Sequence, residues 1–257
     1  ALQRLTCRNT LLERKKFPVA LLYYLVNILS SGWSWYSAGM QNEIDRHYHY
    51  EDLARGEGYR LIAGGDEAGR GPWAGPVCAA MVILPADCRI AGLDDSKKLS
   101  RQKRRALFDE IRARATAYGI GWASAEEIDR HNILEATRLA FNRAFDQLQP
   151  APDYVLLDFI KLPWLRLPHQ AFAKGESISA SVAAASILAK EARDLHMETL
   201  AQSFPDYGFD KHMGYGTAAH QQALRQFGPC AEHRRSFKPV KALLQQPVND
   251  ETLFTLK

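Results

Sequence analysis

The spacing of apolar positions changes period along this chain, and each change marks an element. Val77 to Leu84 is an almost wholly apolar octet. It predicts a strand over about 75–84 that is covered on both faces. Tyr-Arg-Leu-Ile-Ala stands ahead of it and predicts a strand over about 59–66. The link from Ala63 to Pro76 is rich in Gly and Pro and predicts a tight loop. Leu107 and Ile111 lie four apart in a run that opens on Ser100, which predicts a capped helix. Ala117 to Ala123 predicts a third strand. Ser124 with Glu127, and then Asn132 with Glu135, predict two capping boxes. Leu134, Thr137, Phe141, Ala144, Phe145 and Leu148 form a helical stripe that ends at Pro150 and Pro152. Tyr154 to Asp158 predicts a fourth strand and Ala171-Phe172-Ala173 a short fifth. A helix is expected over 181–200, with small residues at its start that allow close packing. Asp206 to Gly216 reads as a loop. Thr217 caps a further helix that stops at Phe227-Gly228-Pro229. The order β-β-α-β-α-β-β-α predicts a mixed sheet with helices on its faces.

The first 56 residues add less. Residues 41–56 predict a short helix. Arg14-Lys15-Lys16 precedes a mostly apolar run, Phe17 to Leu29, and then small residues, a pattern similar to a signal peptide. The run is too short for a comfortable membrane span. Met40 lies just ahead of the polar stretch before the first strand. Residues 1–39 are therefore expected to be upstream translated sequence or a poorly ordered extension.

Length and charge narrow the class. A chain of 257 residues fits one sizeable domain with a small appendage. Its net charge of +4, from 33 basic and 29 acidic residues, does not by itself imply nucleic acid. The distribution changes that reading. Lys97, Lys98, Arg101, Lys103, Arg104, Arg105, Arg112 and Arg114 fall in one span, a footprint for a polyanion or a solvated helix face. Cys7, Cys78, Cys88 and Cys230 are scattered without a Cys-x-x-Cys pair. That pattern indicates neither a zinc site nor a disulfide framework, and it fits a reducing, cytoplasmic setting.

Three elements finish on acids: Asp66-Glu67, Asp158 and, after the fifth strand, Glu176. Hard oxygen ligands without a His or Cys cluster select Mg²⁺ or Mn²⁺. Carboxylates converging in a cleft repel each other unless a cation neutralises them. Arg70 stands between Gly69 and Gly71, where bare backbone lets a ligand come close. Two metals in such a cleft could drive phosphodiester hydrolysis.

The chain also resembles a known family. Asp-Glu-Ala-Gly-Arg-Gly at 66–71 with Gly75-Pro76 is similar to the signature of ribonuclease HII. Also in register are Asp95-Ser96-Lys97, Lys174-Gly175-Glu176, and Ala184 to Lys190 with Arg193-Asp194. Gly214-Tyr215-Gly216-Thr217 and His233-Arg234-Arg235-Ser236-Phe237 complete the set. The resemblance covers about residues 48–245. It implies a ribonuclease H-like mixed five-stranded sheet flanked by helices, with a helical C-terminal extension that holds substrate. The corresponding division is an N-terminal extension (1–45), a catalytic domain (46–205), a substrate-binding helical region (206–245) and a flexible tail (246–257).

The implied activity is hydrolysis of the RNA strand of RNA–DNA hybrids and cutting at ribonucleotides embedded in duplex DNA. Asp66, Glu67, Asp158 and Glu176 would be the catalytic, metal-binding carboxylates for two Mn²⁺ or Mg²⁺ ions. Gly69, Arg70 and Gly71 would sense the 2′-hydroxyl. Tyr215 would pack on the next deoxyribose, Ser96 and Lys97 would hold phosphates, and Asp194 would support the site from behind. A monomer without membrane contact is implied. Glu251 to Phe254 faintly resembles a sliding-clamp peptide. The chain departs from the family pattern at Phe159 (usually Gly), Glu176 (commonly Asp) and Met213 (commonly Lys). A competing expectation follows from these departures: a binder of hybrid or junction DNA that does not cut.

Overall fold

The computed structural model describes residues 47–245. Expectations for 1–45 and for 246–257, the clamp-like segment included, lie outside the described residues. The elements in chain order are α1 (His49–Gly56), β1 (Ile62–Ala68), β2 (Val77–Ile83), α2 (Arg101–Arg114) and β3 (Ala117–Ala123). Then come α3 (Ala125–Phe145), β4 (Tyr154–Asp158), β5 (His169–Phe172), a 3₁₀ turn at Gly175–Ser177 and α4 (Ala180–Ser203). A second 3₁₀ turn (Pro205–Tyr207) leads to the single-turn α5 (Phe209–His212), α6 (Ala218–Phe227) and α7 (Lys238–Leu244).

The five strands form one sheet in the order β3-β2-β1-β4-β5. β1 pairs antiparallel with β2 and parallel with β4, so the sheet is mixed as predicted. β2 is buried on both faces, and its side chains divide between two cores. Cys78, Ala80 and Val82 face α2 and α4, packing with Leu107, Ile111 and Ile187. Val77, Ala79, Met81 and Ile83 face α3, packing with Ala140, Phe141 and Ala144. The start of α4 lies almost on the backbone of β1. A Cβ on Gly64 would stand 2.1 Å from the carbonyl carbon of Ser181, so only glycine admits this approach.

Several boundaries differ from the sequence expectation, each for a physical reason. β1 continues to Ala68 because β2 keeps pairing with it as far as Cys78. Asp66 and Glu67 therefore sit inside the strand, opposite Ala80 and Ala79, rather than at its end. β2 begins only at Val77, because Pro76 has no N–H to give the ladder. The Ser124–Glu127 capping box forms in full. At Asn132 only half of the second box forms. Its Oδ1 accepts from Leu134 N and Glu135 N, with φ of 69° breaking the helix there. The Glu135 carboxylate turns to Arg138 instead. Leu134, the first member of the stripe, is exposed. The loop over 206–216 holds two short helical turns.

The basic span is also corrected. Arg104 is buried between Glu191 and Asp194, Arg105 pairs with Glu191, and Arg101 pairs with Glu198. Arg114 and Lys98 pair with Glu110 and Asp94. Much of that charge locks α2 to α4 rather than facing a polyanion. Cys78, Cys88 and Cys230 are free thiols. No helix among the described residues is long and apolar enough to cross a membrane.

Candidate active site

Parallel pairing of β1 with β4 reaches Gly65 opposite Leu157. The next residue on each strand is an acid, so Asp66 and Asp158 fall side by side on adjacent strands. Asp66 is buried and accepts from Glu67 N at 2.7 Å. Asp158 Oδ1 accepts from Gly175 N at 2.8 Å. That bond seats the 3₁₀ turn carrying Glu176 against the end of β4. Burial, then the charges of Glu67, Asp158 and Glu176, hold the Asp66 carboxyl well above its usual range. Burial also raises Glu67, and Asp158 adds to it, although Arg70 opposes the shift from 3.0 Å. Glu176 is raised by burial and then by Asp158. Lys97 carries the opposite sign. Partial burial works against its charge, yet Asp95, Asp66, Glu176 and Asp158 keep its ammonium above the ordinary value. The four acids predicted from scattered segments therefore share one electrostatic neighbourhood.

Two buried oxygens in this group, Glu67 Oε2 and Glu176 Oε2, have no hydrogen-bond partner. Acceptor oxygens in that state fit a hard divalent cation. Among the described residues no three His, Cys, Asp or Glu side chains form a preformed cage. The fit to a metal rests on donor type, repulsion and the two orphaned oxygens.

Asp66 and Glu67 open onto a cleft of about 510 Å³. Gly69, Arg70, Gly71, Ser96, Lys97 and Tyr215, the residues expected to contact substrate, line the same cleft. Asp158 and Glu176 stand outside its lining. Asp194 lines the cleft, and its carboxylate is taken up by two cations. It accepts from Lys190 at 2.7 Å and from Arg104 at 3.1 Å, and Arg104 in turn reaches Ser96 O at 3.4 Å. Asp194 thus braces the loop of Ser96 and Lys97 from behind. Asp94 pairs with Lys98 at the surface, as expected of a loop acid.

Two buried arginines hold the glycine loop. Arg234 donates from Nη2 to Gly69 O (2.6 Å), from Nη1 to Arg70 O (3.1 Å) and Pro72 O (2.7 Å), and from Nε to Gly75 O (2.9 Å). Arg193 donates to Pro76 O (2.9 Å), Ala74 O (3.2 Å) and Met213 O (3.1 Å). Gly69 has φ of 93°, and a Cβ there would lie 2.1 Å from Arg193 Nε. The loop is thus shaped by guanidinium forks from two distant elements. Its other side is joined to the Tyr215 segment by Trp73 N donating to Gly214 O at 2.8 Å. Sequence reading placed Arg193 and Arg234 in motifs without a role. No local signal marked them, since their backbone acceptors in the loop lie 117 to 165 residues away. His212, His220 and His233 are structural, each bonded to backbone or to another imidazole.

Comparison with known proteins follows from this geometry. The family model described as Ribonuclease HII matches residues 63–240. A Ribonuclease HII from Geobacillus sp. (strain WCH70) is 49% identical over 217 residues, covering 82% of this chain and 78% of the relative. Among solved structures, the ribonuclease H2 from Pyrococcus horikoshii OT3 aligns with a TM-score of 0.60 at 25% identity. That alignment covers 71% of this chain and 96% of the other. The ribonuclease HII of Archaeoglobus fulgidus, solved in complex with PCNA, aligns at 0.58 and 27% identity, covering 74% and 100%.

Proposed function

Because the chain belongs to the ribonuclease HII family and is a ribonuclease H hydrolase, we propose that it cuts the RNA strand of RNA–DNA hybrids. At a ribonucleotide embedded in duplex DNA it cuts on the 5′ side, leaving 5′-phosphate and 3′-hydroxyl ends. One observation carries this reading. Four carboxylates share one electrostatic neighbourhood, two of them with orphaned oxygens, and Asp66 and Glu67 among them open onto a cleft lined by Gly69, Arg70 and Gly71.

Asp66, Glu67, Asp158 and Glu176 hold divalent metal, two Mn²⁺ or Mg²⁺ ions per site. When bound, these ions supply an activated water and a counter-charge for the leaving oxygen. Glu176 is one methylene longer than Asp and reaches the cluster from its 3₁₀ turn. Backbone groups of Gly69 and Gly71 meet the ribose 2′-hydroxyl, which both donates and accepts and so separates RNA from DNA. The Tyr215 ring lies flat on the following deoxyribose, where a 2′-hydroxyl would clash. Ser96 and Lys97 hold the adjoining phosphates, and Asp194 fixes their loop. Residues 206–245 act as the substrate-holding part, with 46–205 as the catalytic domain. A sliding clamp is a proposed partner for residues 251–254, by analogy with the Archaeoglobus relative's complex with PCNA.

The test is a duplex with one ribonucleotide, incubated with purified protein and Mg²⁺ or Mn²⁺, with cut positions mapped. The expected product is a single nick 5′ to the ribonucleotide. Asp66→Asn is expected to lower the rate by at least about 10³-fold while far-UV circular dichroism is unchanged. Binding without a cut under either metal would instead identify the non-cleaving binder.

A further inference from the structure

Phe159 follows Asp158 directly and is unusual in two ways. Its φ of 47° lies in the left-handed region that side chains avoid. Its ring is 76% exposed, the most exposed of the large apolar side chains described. Packing accounts for neither feature, because the ring gains no core contact from that backbone. The conformation is nonetheless fixed, since Phe159 N donates to Phe172 O at 2.8 Å. A residue kept both strained and solvent-facing beside a reactive centre points to an external ligand.

The ring borders a second cleft of about 470 Å³. Its lining combines apolar residues, Ile160 and Phe172 among them, with the cationic Arg70, Arg138 and Lys161. No acidic residue is among those lining it. Arg138 is anchored there, donating from Nε to Lys161 O at 3.0 Å. Two of these charges have acid neighbours, Glu67 for Arg70 and Glu135 for Arg138, while Lys161 is exposed. Arg70 lines both clefts. Tyr215, 46% exposed, shares the first cleft with Arg70, and Phe159 shares the second with it.

Resting on the nuclease reading above, we propose that this second cleft is a substrate subsite for the sugar–phosphate backbone. A sugar lies on the Phe159 ring, and its phosphate meets Lys161 and Arg138. The nucleic-acid strand that crosses the carboxylates then meets an aromatic side chain in each of the two clefts that share Arg70. A lining that is apolar in part and cationic in part matches one backbone unit, whose sugar is apolar on its C–H face and whose phosphate is anionic. The subsite reads no base, so it adds affinity and register without sequence preference.

Full-length protein tests this with Phe159→Gly, Phe159→Trp and Lys161→Ala. Binding is measured in the Asp66→Asn background on the single-ribonucleotide duplex, and KM and kcat in the active background. Phe159→Gly is expected to weaken binding on the order of tenfold, with the loss in KM rather than kcat. It is also expected to raise Tm, because glycine accepts the positive φ. Phe159→Trp keeps the affinity. Lys161→Ala lowers the slope of log K against log salt by about one phosphate. Trimming the duplex from the end that reaches this cleft abolishes the difference between wild type and Phe159→Gly. Wild-type cleavage with unchanged binding for Phe159→Gly and an unchanged salt slope for Lys161→Ala overturns the subsite alone. A wild type that neither binds nor cuts overturns the nuclease reading, and the subsite with it.

Discussion

Arg234 and Arg193 show how two side chains can dictate the shape of a loop they do not belong to. Every partner of their guanidiniums is a backbone carbonyl, and Arg234 reaches four of them between Gly69 and Gly75. Burial, followed by repulsion from Arg193, brings Arg234 down to about 9, still charged at neutral pH. A planar fork with five donors can satisfy carbonyls pointing in several directions, and an ammonium cannot. Arg234→Lys therefore leaves some of these buried acceptors unpaired. Hydrogen bonds to charged groups contribute about 1.5–3 kcal/mol each, so a stability loss of about 2–4 kcal/mol is expected from urea unfolding. The glycine loop also loosens, and a misplacement near 1 Å costs on the order of 10²-fold in rate. Cleavage at a single ribonucleotide should fall by that order. Arg130→Lys, on the exposed face of α3, serves as the control and should change neither measurement. Equal behaviour of the two variants would refute the role given to the fork.

Among elements, α4 supplies supports of the site, because Arg193 and Asp194 both belong to it. Its N-terminus is fixed from outside the helix. Glu51 of α1, fully buried, accepts from Ser179 Oγ (2.7 Å), Ser181 Oγ (2.6 Å) and Ser181 N (2.8 Å) through one carboxylate oxygen. An acid at a helix N-terminus also complements the helix dipole. Glu51→Ala strands these donors, and a loss of about 1.5–3 kcal/mol is expected in thermal or urea unfolding. A loss below about 0.5 kcal/mol would show that the contact is incidental. The same element shows where sequence reading stopped. β3 and β4 were legible to the residue, because their ends are set by local punctuation, Ser124 after one and Pro150 and Pro152 before the other. The ion pairs binding α2 to α4 were not, because Arg104 lies 87 and 90 residues from its partners. The end of β1 was misjudged for a related reason, since its length depends on how far β2 keeps pairing. At the site, Asp66-Glu67, the Gly-Arg-Gly and the acids Asp158 and Glu176 at the ends of elements were legible as local chemistry, and the substrate-contact roles came through the family resemblance. Arg234 had no local signal, since its acceptors lie about 160 residues away.

At the scale of the whole molecule, the far end of the C-terminal segment is joined to Tyr215, at the cleft, through a buried imidazole chain. Cys230 N–H donates to His233 Nδ1 at 3.0 Å, so His233 carries its proton on Nε2 and gives it to His220 Nε2 at 3.0 Å. His220 then holds its own proton on Nδ1 and donates to Tyr215 O at 2.9 Å. Each neutral tautomer is fixed by its neighbour, and the chain ends on the residue proposed to read the second sugar. Burial, then His212 for His220 and His220 for His233, lowers each imidazole from 6.5 to about 4. Backbone acceptors only partly offset that shift. Above pH 6.5 both states are neutral, and these groups contribute no pH dependence. Between 6.5 and about 4 the unfolded chain takes up protons that the folded chain refuses, so stability falls as pH falls. Below about 4 the loss levels off. The limiting slope is about 1.4 kcal/mol per pH unit for each group, less for two that repel. Asp66, Glu67 and Glu176 act in the opposite sense, because raised carboxyl groups bind protons more tightly when folded. Total stability against pH therefore mixes the two effects. A difference measurement separates them, since the carboxylates are common to wild type and to His220→Gln/His233→Gln. Wild type should exceed that double variant in unfolding free energy at pH 7, and its lead should shrink by about 3–6 kcal/mol on going to pH 4. A lead that stays constant over this range would place the protons elsewhere and detach the imidazole chain from the positioning of Tyr215.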